Sequence, residues 1–141
     1  MDKFVLANAV FSKFSRNYME LKKDLPIRPS EMGVLNIITH CEGDFTPLLL
    51  AEMMGVSKPM ITAHVQALFE KGYICKELSA EDKRSFFIRS TEKGRTLAAD
   101  FEARQTEYLK KLETNLGDSE FDALVCLISK AHPIVEKMKE E

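Results

Sequence analysis

The amino-acid sequence predicts a mostly α-helical protein that contains one short β-hairpin. In most of the chain, apolar residues recur every three or four positions, which is the spacing of an amphipathic helix. Two short runs rich in aromatic and β-branched residues, 73–78 and 85–90, break this pattern and flank the polar segment 79–84. Helix start and stop residues divide the rest, so we expect four helices before the hairpin and two after it.

The N-terminal part should form two helices. The first carries a single apolar stripe and is expected to end near residues 24–26. This stripe consists of Phe4, Ala7, Phe11, Phe14, Tyr18 and Leu21. Ser30 is expected to cap the second helix, which should continue to about His40.

The next two helices have clear boundaries. Thr46 followed by Pro47 predicts the start of a short third helix, because Thr caps well and Pro loses nothing at the first helical position. Gly55 should end it in the left-handed conformation. Ser57 is expected to cap a fourth helix, which should run to Lys71.

Two long helices should follow the hairpin. Ser90 or Thr91 is expected to cap the first of them, and Gly117 interrupts the helical pattern after Leu116. The last helix contains Pro133, which predicts a kink. The apolar stripes at both ends of the chain exceed what the central segments can cover, so we expect them to pack against a second copy.

The composition predicts an ordinary globular chain. The 141 residues suit one domain, with 45% apolar and 30% charged residues. No apolar stretch approaches the roughly 20 residues that span a bilayer, and the start of the chain does not have the charge pattern of a signal peptide. Three widely spaced cysteines indicate reduced thiols, so we expect a cytoplasmic protein without a membrane partner.

The charge distribution leans only weakly toward nucleic acid. The net charge is −2, yet residues 45–95 carry eight basic and six acidic side chains. Residues 96–141 carry six basic and ten acidic ones, so the middle of the chain is its only positive part. Phosphate contacts from basic side chains supply most non-specific affinity for DNA, and this segment is where they should lie.

Residues 50–68 have the pattern of a helix-turn-helix. Ala51 provides the small residue that such a crossing of two helices needs, and Gly55 fits the tight turn between them. Ile61, Val65 and Leu68 form an inward stripe on the second helix. The opposite side is short-chained and suits a DNA major groove; it consists of Ser57, Lys58, Pro59, Met60, Thr62, Ala63 and Gln66. The alternative is an αα-hairpin with a solvated outer face.

Three further motifs, in order and at matching spacing, resemble the MarR (multiple-antibiotic-resistance regulator) family. They are Glu-Lys-Gly-Tyr-Ile at 70–74, Asp-Lys-Arg at 82–84 and Ser-Thr-Glu-Lys-Gly at 90–94. The resemblance implies a winged helix-turn-helix with a two-stranded β wing and N- and C-terminal dimerisation helices. It implies one domain over 1–141, with dimerisation helices at about 1–24 and 92–141 and a DNA-binding lobe at about 30–91.

The resemblance also implies roles for the wing. Arg84 is similar to the arginine that enters the minor groove, Asp82 to the carboxylate that orients it, and Lys76 to a phosphate contact, with Lys83 beside them. The alternative for Asp82 and Arg84 is an exposed ion pair of little value. The chain departs from the family at Ala63 and Ala67, where many relatives have arginines, and at His64, where they usually have an apolar residue. Base contacts should therefore depend on Pro59, Thr62 and Gln66.

Many MarR-type proteins release DNA on binding a small lipophilic or phenolic effector. A pocket of that kind would be lined here by Phe14, Tyr18, Cys41, His64 and the first turns of the long helix. A plain aromatic core is the alternative. The first helix lacks the cysteine of the hydroperoxide-sensing branch, and His40, Cys41 and Glu42 point about 100° apart on a helix. We therefore expect no metal and no cofactor.

Together these features predict a transcription regulator that binds double-stranded DNA sequence-specifically. The resemblance implies a ligand-responsive repressor that acts as a homodimer on a pseudo-palindromic operator. The sequence has no phosphate-binding glycine loop and no nucleophile motif, so we do not expect an enzyme. The alternative is a winged-helix module that binds protein, with weak or no DNA binding.

Overall fold

The computed structural model describes residues 1–82 and 84–141, and Lys83 lies outside the described residues. The chain divides into two compact units, Met1–Ala98 and Ala99–Glu141. The described residues form these elements: α1 (Lys3–Glu20), α2 (Pro29–His40), α3 (Pro47–Met54), α4 (Lys58–Glu70), β1 (Ile74–Leu78), β2 (Phe86–Ser90), α5 (Glu92–Leu116) and α6 (Asp118–Met138). This order confirms the predicted fold class. None of the described helices is long and apolar enough to cross a membrane.

The first unit has a core between α2, α3, α4 and the hairpin. Its largest fully buried side chains are Met32, Val34, Leu35, Leu50, Ile61, Leu68 and Ile88. The inward stripe predicted for α4 is confirmed, because Ile61, Val65 and Leu68 are all buried. Burying one such side chain contributes about 1.5–3 kcal/mol, so this stripe fixes which side of α4 faces the solvent.

Two predictions about the first helices were wrong. α1 ends at Glu20, and the connection to α2 contains Asp24 in the left-handed region at φ 70°. α2 is capped by Arg28 and begins at Pro29, so Ser30 lies inside the helix. The reason is that Pro29 has a preset φ and needs no hydrogen-bond acceptor, while Glu31 Oε1 accepts from the Arg28 N–H at 3.0 Å.

The predicted boundaries of α3 and α4 are confirmed, apart from the last residue of α4. Thr46 Oγ1 accepts from the Leu49 N–H at 3.1 Å, and Ser57 Oγ accepts from the Met60 N–H at 3.3 Å. Gly55 follows α3 with φ 65° and ψ 34°, a conformation that costs Gly little. α4 ends at Glu70, with Lys71 as the residue that caps it.

The hairpin is antiparallel and pairs Ile74 with Ser90 at its base and Leu78 with Phe86 at its outer end. A further bridge joins it to the connection between α2 and α3, where the Ile88 N–H donates to the Phe45 carbonyl at 2.8 Å. The sequence did not indicate this bridge. Because an isolated hairpin is only marginally stable, the bridge and the buried Ile88 side chain fix β2 to the unit.

The second unit consists of the greater part of α5 together with α6. α5 ends at Leu116, and Gly117 then takes φ 96° before α6 begins. Pro133 lies within α6, and none of the residues of α6 is buried. Its apolar residues Val125, Leu127, Ile128, Ile134, Val135 and Met138 are exposed.

Candidate nucleic-acid interface

The recognition surface predicted on α4 is exposed. α4 packs against α2 and α3 through its buried stripe, which leaves the other side to the solvent. All of the residues predicted to face the major groove lie on that side: Ser57, Lys58, Pro59, Met60, Thr62, Ala63 and Gln66. Packing of one side of α4 therefore presents the other side as a continuous surface.

Hydrogen bonds within α4 limit what this surface can offer to a base. The Thr62 hydroxyl donates to the Lys58 carbonyl at 2.9 Å, so its oxygen is left to act as an acceptor. Gln66 Nε2 donates to Glu70 Oε1 at 3.0 Å. That bond uses one amide hydrogen and leaves the second hydrogen and Oε1 of Gln66 for other partners. Gln66 thus keeps one donor and one acceptor, the pair that adenine N7 and N6 require.

The tip of the wing is organised by Asp82. Its Oδ1 accepts from the Arg84 N–H at 3.0 Å, and its Oδ2 accepts from the Ser85 hydroxyl at 3.2 Å. Ser79 Oγ accepts from the N–H groups of Glu81 and Asp82, each at 3.3 Å. Among residues 1–82 and 84–141, no ion pair joins Asp82 to the Arg84 guanidinium. The Asp82 carboxylate therefore holds Arg84 through the main-chain N–H of Arg84. The Arg84 side chain is exposed.

Lys76 lies between two aromatic rings. Its Nζ is 5.0 Å from the centroid of Phe69 on α4 and 4.9 Å from that of Phe86, on the strand opposite. Cation–π contacts of this kind hold a lysine stem against the protein while its ammonium stays hydrated. The sequence identified Lys76 as a phosphate contact but gave no sign of either ring.

Arg89 is a residue that the sequence reasoning missed. Its Nη2 donates to Asp44 Oδ1 at 2.6 Å, its Nε to Glu77 Oε2 at 2.7 Å and its Nη1 to the Gly43 carbonyl at 3.2 Å. The hydrogen bonds to Asp44 and Glu77 raise the pKa of Arg89 above its ordinary value. The hairpin register could have suggested Glu77, which lies diagonally across from Arg89, but Asp44 is 45 residues away.

The Thr-Glu-Lys-Gly motif joins the end of α4 to the start of α5. The Thr91 hydroxyl donates to the Gly72 carbonyl at 2.6 Å and accepts from the Gly94 N–H at 3.1 Å, which identifies Thr91 as the cap. Lys93 Nζ donates to the Lys71 carbonyl at 2.6 Å. A Cβ on Gly94 would overlap the carbonyl oxygen of Tyr73. The motif thus makes a close, hydrogen-bonded joint that only Gly94 permits.

The four candidate pocket residues have different surroundings. Phe14 and Tyr18 stack on α1 with ring centroids 5.9 Å apart, Cys41 is exposed and His64 is half-buried. None of them lines the surface cavity of about 400 Å³ that lies beside the α1–α2 connection. That cavity is lined by Met19, Lys22, Lys23, Asp24, Leu25, Ile27 and Pro29. In the described part of the chain, no three His, Cys, Asp or Glu residues form a group that could hold a metal ion.

Comparisons with known proteins agree with this geometry. The family model of the transcriptional regulators SarA/Rot matches residues 16–101. YpoP of Bacillus subtilis (strain 168), an HTH-type transcriptional regulator, is 32% identical over 129 residues, which cover 92% of this chain and 90% of YpoP.

Two solved structures show the fold. One is Streptococcus pneumoniae FabT in complex with DNA, with a TM-score of 0.79, 20% identity and coverage of 97% of this chain and 99% of FabT. The other is a MarR/EmrR family regulator from Acinetobacter sp. ADP1, with a TM-score of 0.71, 22% identity and coverage of 97% and 99%. The resemblance to MarR-type proteins is thus confirmed. The chain belongs to the SarA/Rot family of transcriptional regulators and has the winged-helix fold of MarR-type proteins.

Proposed function

We propose that this regulator binds double-stranded DNA as a homodimer, with α4 in the major groove and Arg84 in the adjacent minor groove. The observation that carries the proposal is the division of α4 into a buried stripe and an exposed, short-chained side. The wing of the same unit carries the exposed Arg84 at its tip. A major groove about 12 Å wide admits such a helix, and Arg favours the negative potential of a narrow minor groove.

The proposed dimer rests on apolar side chains that one copy leaves in water. In α1, Phe4 is 72% and Phe11 70% exposed, and in α6, Leu127 is 63% and Ile134 59% exposed. Large exposed apolar side chains that recur along a helix mark a surface that a partner chain can cover. We assign dimerisation to about 1–24 and 92–141 and DNA binding to about 30–91, so that a second copy covers both terminal helices and supplies a second α4.

Several basic side chains of the first unit contact other groups of the protein, which indicates a modest affinity for DNA. Lys71 and Lys93 contact backbone carbonyls, and Arg89 contacts two carboxylates. The proposal therefore assigns phosphate contact mainly to Lys58, at the start of α4, and to the wing. Each phosphate that is neutralised contributes about −0.9 to the slope of log affinity against log salt, so this slope should be shallow.

Repression and its relief by an effector form the finer part of the proposal. The candidate effector is a small lipophilic or phenolic molecule that contacts Phe14 and Tyr18, whose stacked rings offer a flat apolar surface on α1. The proposal keeps Cys41 and His64 as the other two candidate effector contacts. Salicylate, added to the protein–DNA complex, should release DNA, and Tyr18→Ala should reduce this release without changing the affinity measured in its absence.

The DNA-binding proposal is tested by fluorescence anisotropy with duplexes from upstream of the protein's own gene. Each duplex is compared with a shuffled one at about 50 mM and 200 mM salt, because non-specific binding weakens steeply over this range. We expect one upstream duplex to keep its advantage at the higher salt and to bind two protomers. Equal binding of upstream and shuffled duplexes would contradict sequence-specific recognition. A folded dimer that binds no duplex would favour the protein-interaction alternative.

A further inference from the structure

Arg89 connects three segments of the first unit that are separate in sequence. It lies in β2, and it contacts Glu77 in β1 and Gly43 and Asp44 in the connection between α2 and α3. Three of its nitrogens donate at 2.6–3.2 Å, and its guanidinium also lies 5.5 Å from the centroid of Phe87. A planar guanidinium with a fixed fork of donors can hold several acceptors at set angles, which a lysine ammonium cannot.

The segment that Arg89 holds is directly joined to the helix-turn-helix. Residues 43 and 44 precede Phe45, which bridges to Ile88, and Thr46, which caps α3. Arg89 and the bridge therefore fasten adjacent residues of β2 to the chain that enters α3. At the other end, β2 begins at Phe86, two residues after Arg84. The placement of Arg84 relative to α3 and α4 thus depends on how β2 is held.

We propose that Arg89 is a positioning residue for DNA binding, which holds the wing at the angle where Arg84 meets the minor groove while α4 lies in the major groove. This inference rests on the proposed function. In this proposal Arg89 acts through Arg84 rather than through a phosphate, since three of its five N–H groups are directed to Asp44, Glu77 and Gly43. Exposed ion pairs are usually weak. The value of this one lies in fixing an angle rather than in stabilising the fold.

A double-mutant cycle between Arg89 and Arg84 tests the proposal. Arg89→Lys keeps the positive charge but loses the planar set of guanidinium donors. It should lower operator affinity about fivefold, near the lower end of the loss expected for a specific contact. In an Arg84→Ala background, the same change should have almost no effect, and the salt slope should stay unchanged in Arg89→Lys. Equal losses in both backgrounds would overturn the proposal, because a residue that only stabilises the fold acts independently of Arg84. A shallower salt slope would overturn it in favour of a phosphate contact.

A second experiment uses a variant for which the positioning role and simple electrostatics predict opposite changes in DNA affinity. Asp44→Asn removes a negative charge and reduces the shortest contact of Arg89 from an ion pair to, at most, a neutral hydrogen bond, so simple electrostatics predicts tighter DNA binding. The proposal predicts weaker binding, by about threefold, together with faster amide hydrogen exchange at residues 79–82, 84 and 85. Glu81→Gln is the matched control, because it removes a wing carboxylate that does not contact Arg89 and should bind DNA as tightly as the parent or tighter. Tighter binding by Asp44→Asn, at the level of the control, would overturn the proposal.

The same measurements separate this inference from the proposed function. If the parent binds no duplex specifically, or if Arg84→Ala leaves its affinity unchanged, the wing assignment fails and the role of Arg89 fails with it. If Arg84→Ala weakens DNA binding and Arg89→Lys causes the same further loss with or without Arg84, only the proposed role of Arg89 fails. Melting curves of all variants, measured at one protein concentration, show whether each is folded, and sedimentation shows whether each is dimeric.

Discussion

Gly94 lies where α5 begins and approaches the backbone after α4 so closely that a side chain should not fit. A Cβ at this position would overlap the Tyr73 carbonyl oxygen and lie 3.0 Å from the Tyr73 carbonyl carbon and 3.3 Å from Leu35 Cδ1. The first two atoms belong to the backbone, and Tyr73 O also accepts from the Thr91 N–H at 3.1 Å. Gly94→Ala can therefore be accommodated only if the first turn of α5 moves away from Tyr73.

The magnitude follows from two opposing effects. Forcing a methyl group into a packed position costs about 1–3 kcal/mol and sometimes more. Replacing Gly by Ala inside a helix returns about 0.5–1 kcal/mol. Because the overlap is with backbone, we expect a net loss of about 1–2 kcal/mol in the free energy of unfolding. For a chain of this size that loss lowers Tm by about 3–8 °C.

Gly33→Ala is the matched control. Gly33 lies within α2, and a Cβ there would be 3.2 Å from Met54 Cε, the end of a flexible side chain. Here we expect no loss, or a gain of up to about 1 kcal/mol. Thermal and urea unfolding at one protein concentration measure both variants, since dimer stability depends on concentration. A Gly94→Ala protein as stable as the parent would refute the close approach.

The remaining predictions concern DNA binding and assembly. Arg84→Ala should cost about 1–3 kcal/mol of operator binding and reduce the salt slope by about 0.9 per protomer, as measured by anisotropy; unchanged affinity and slope in a folded dimer would refute the wing assignment. Asp82→Ala should weaken binding more than Asp82→Asn, because Asn keeps one oxygen to accept from the Arg84 N–H; the reverse order would show that the charge of Asp82 matters instead. Gln66→Ala should lower operator binding by about 1–3 kcal/mol and leave binding to shuffled DNA unchanged; equal losses on both duplexes would exclude base recognition. Phe11→Asp should dissociate the dimer in sedimentation experiments, because it places a charge in the proposed apolar interface; a dimeric variant would place the interface elsewhere.

The sequence predicted the helix-turn-helix well because its boundaries depend on local chemistry. Thr46 and Ser57 each satisfy a free N–H within the next three residues, and Gly55 takes the one conformation that its neighbours disfavour. Such signals involve residues that are adjacent in the chain, so they are visible without a structure. The predicted cap of α2, Ser30, was two residues too late, because Glu31 Oε1 accepts from the Arg28 N–H instead.

Contacts between distant residues could not be predicted in the same way. The Arg89–Asp44 pair and the Phe45–Ile88 bridge each depend on how the hairpin lies against the α2–α3 connection. The position of Lys76 between Phe69 and Phe86 depends on the angle between α4 and β1. The resemblance assigned DNA-binding roles to Lys76 and Arg84 in the wing, which stay predictions, but the sequence could not show which cations make contacts within the protein itself.

The charges of this chain, whose net charge is −2, are distributed unevenly along the sequence. The acidic excess lies in residues 96–141, whereas the recognition side of α4 and the wing lie in the positive segment 45–95. Arg89 pairs with both Asp44 and Glu77, so its single positive charge offsets one of the two negative charges beside the wing. The exposed cations Lys58 and Arg84 lie at the N-terminus of α4 and at the wing tip. In the proposed complex, these are the two places where the protein approaches the DNA backbone.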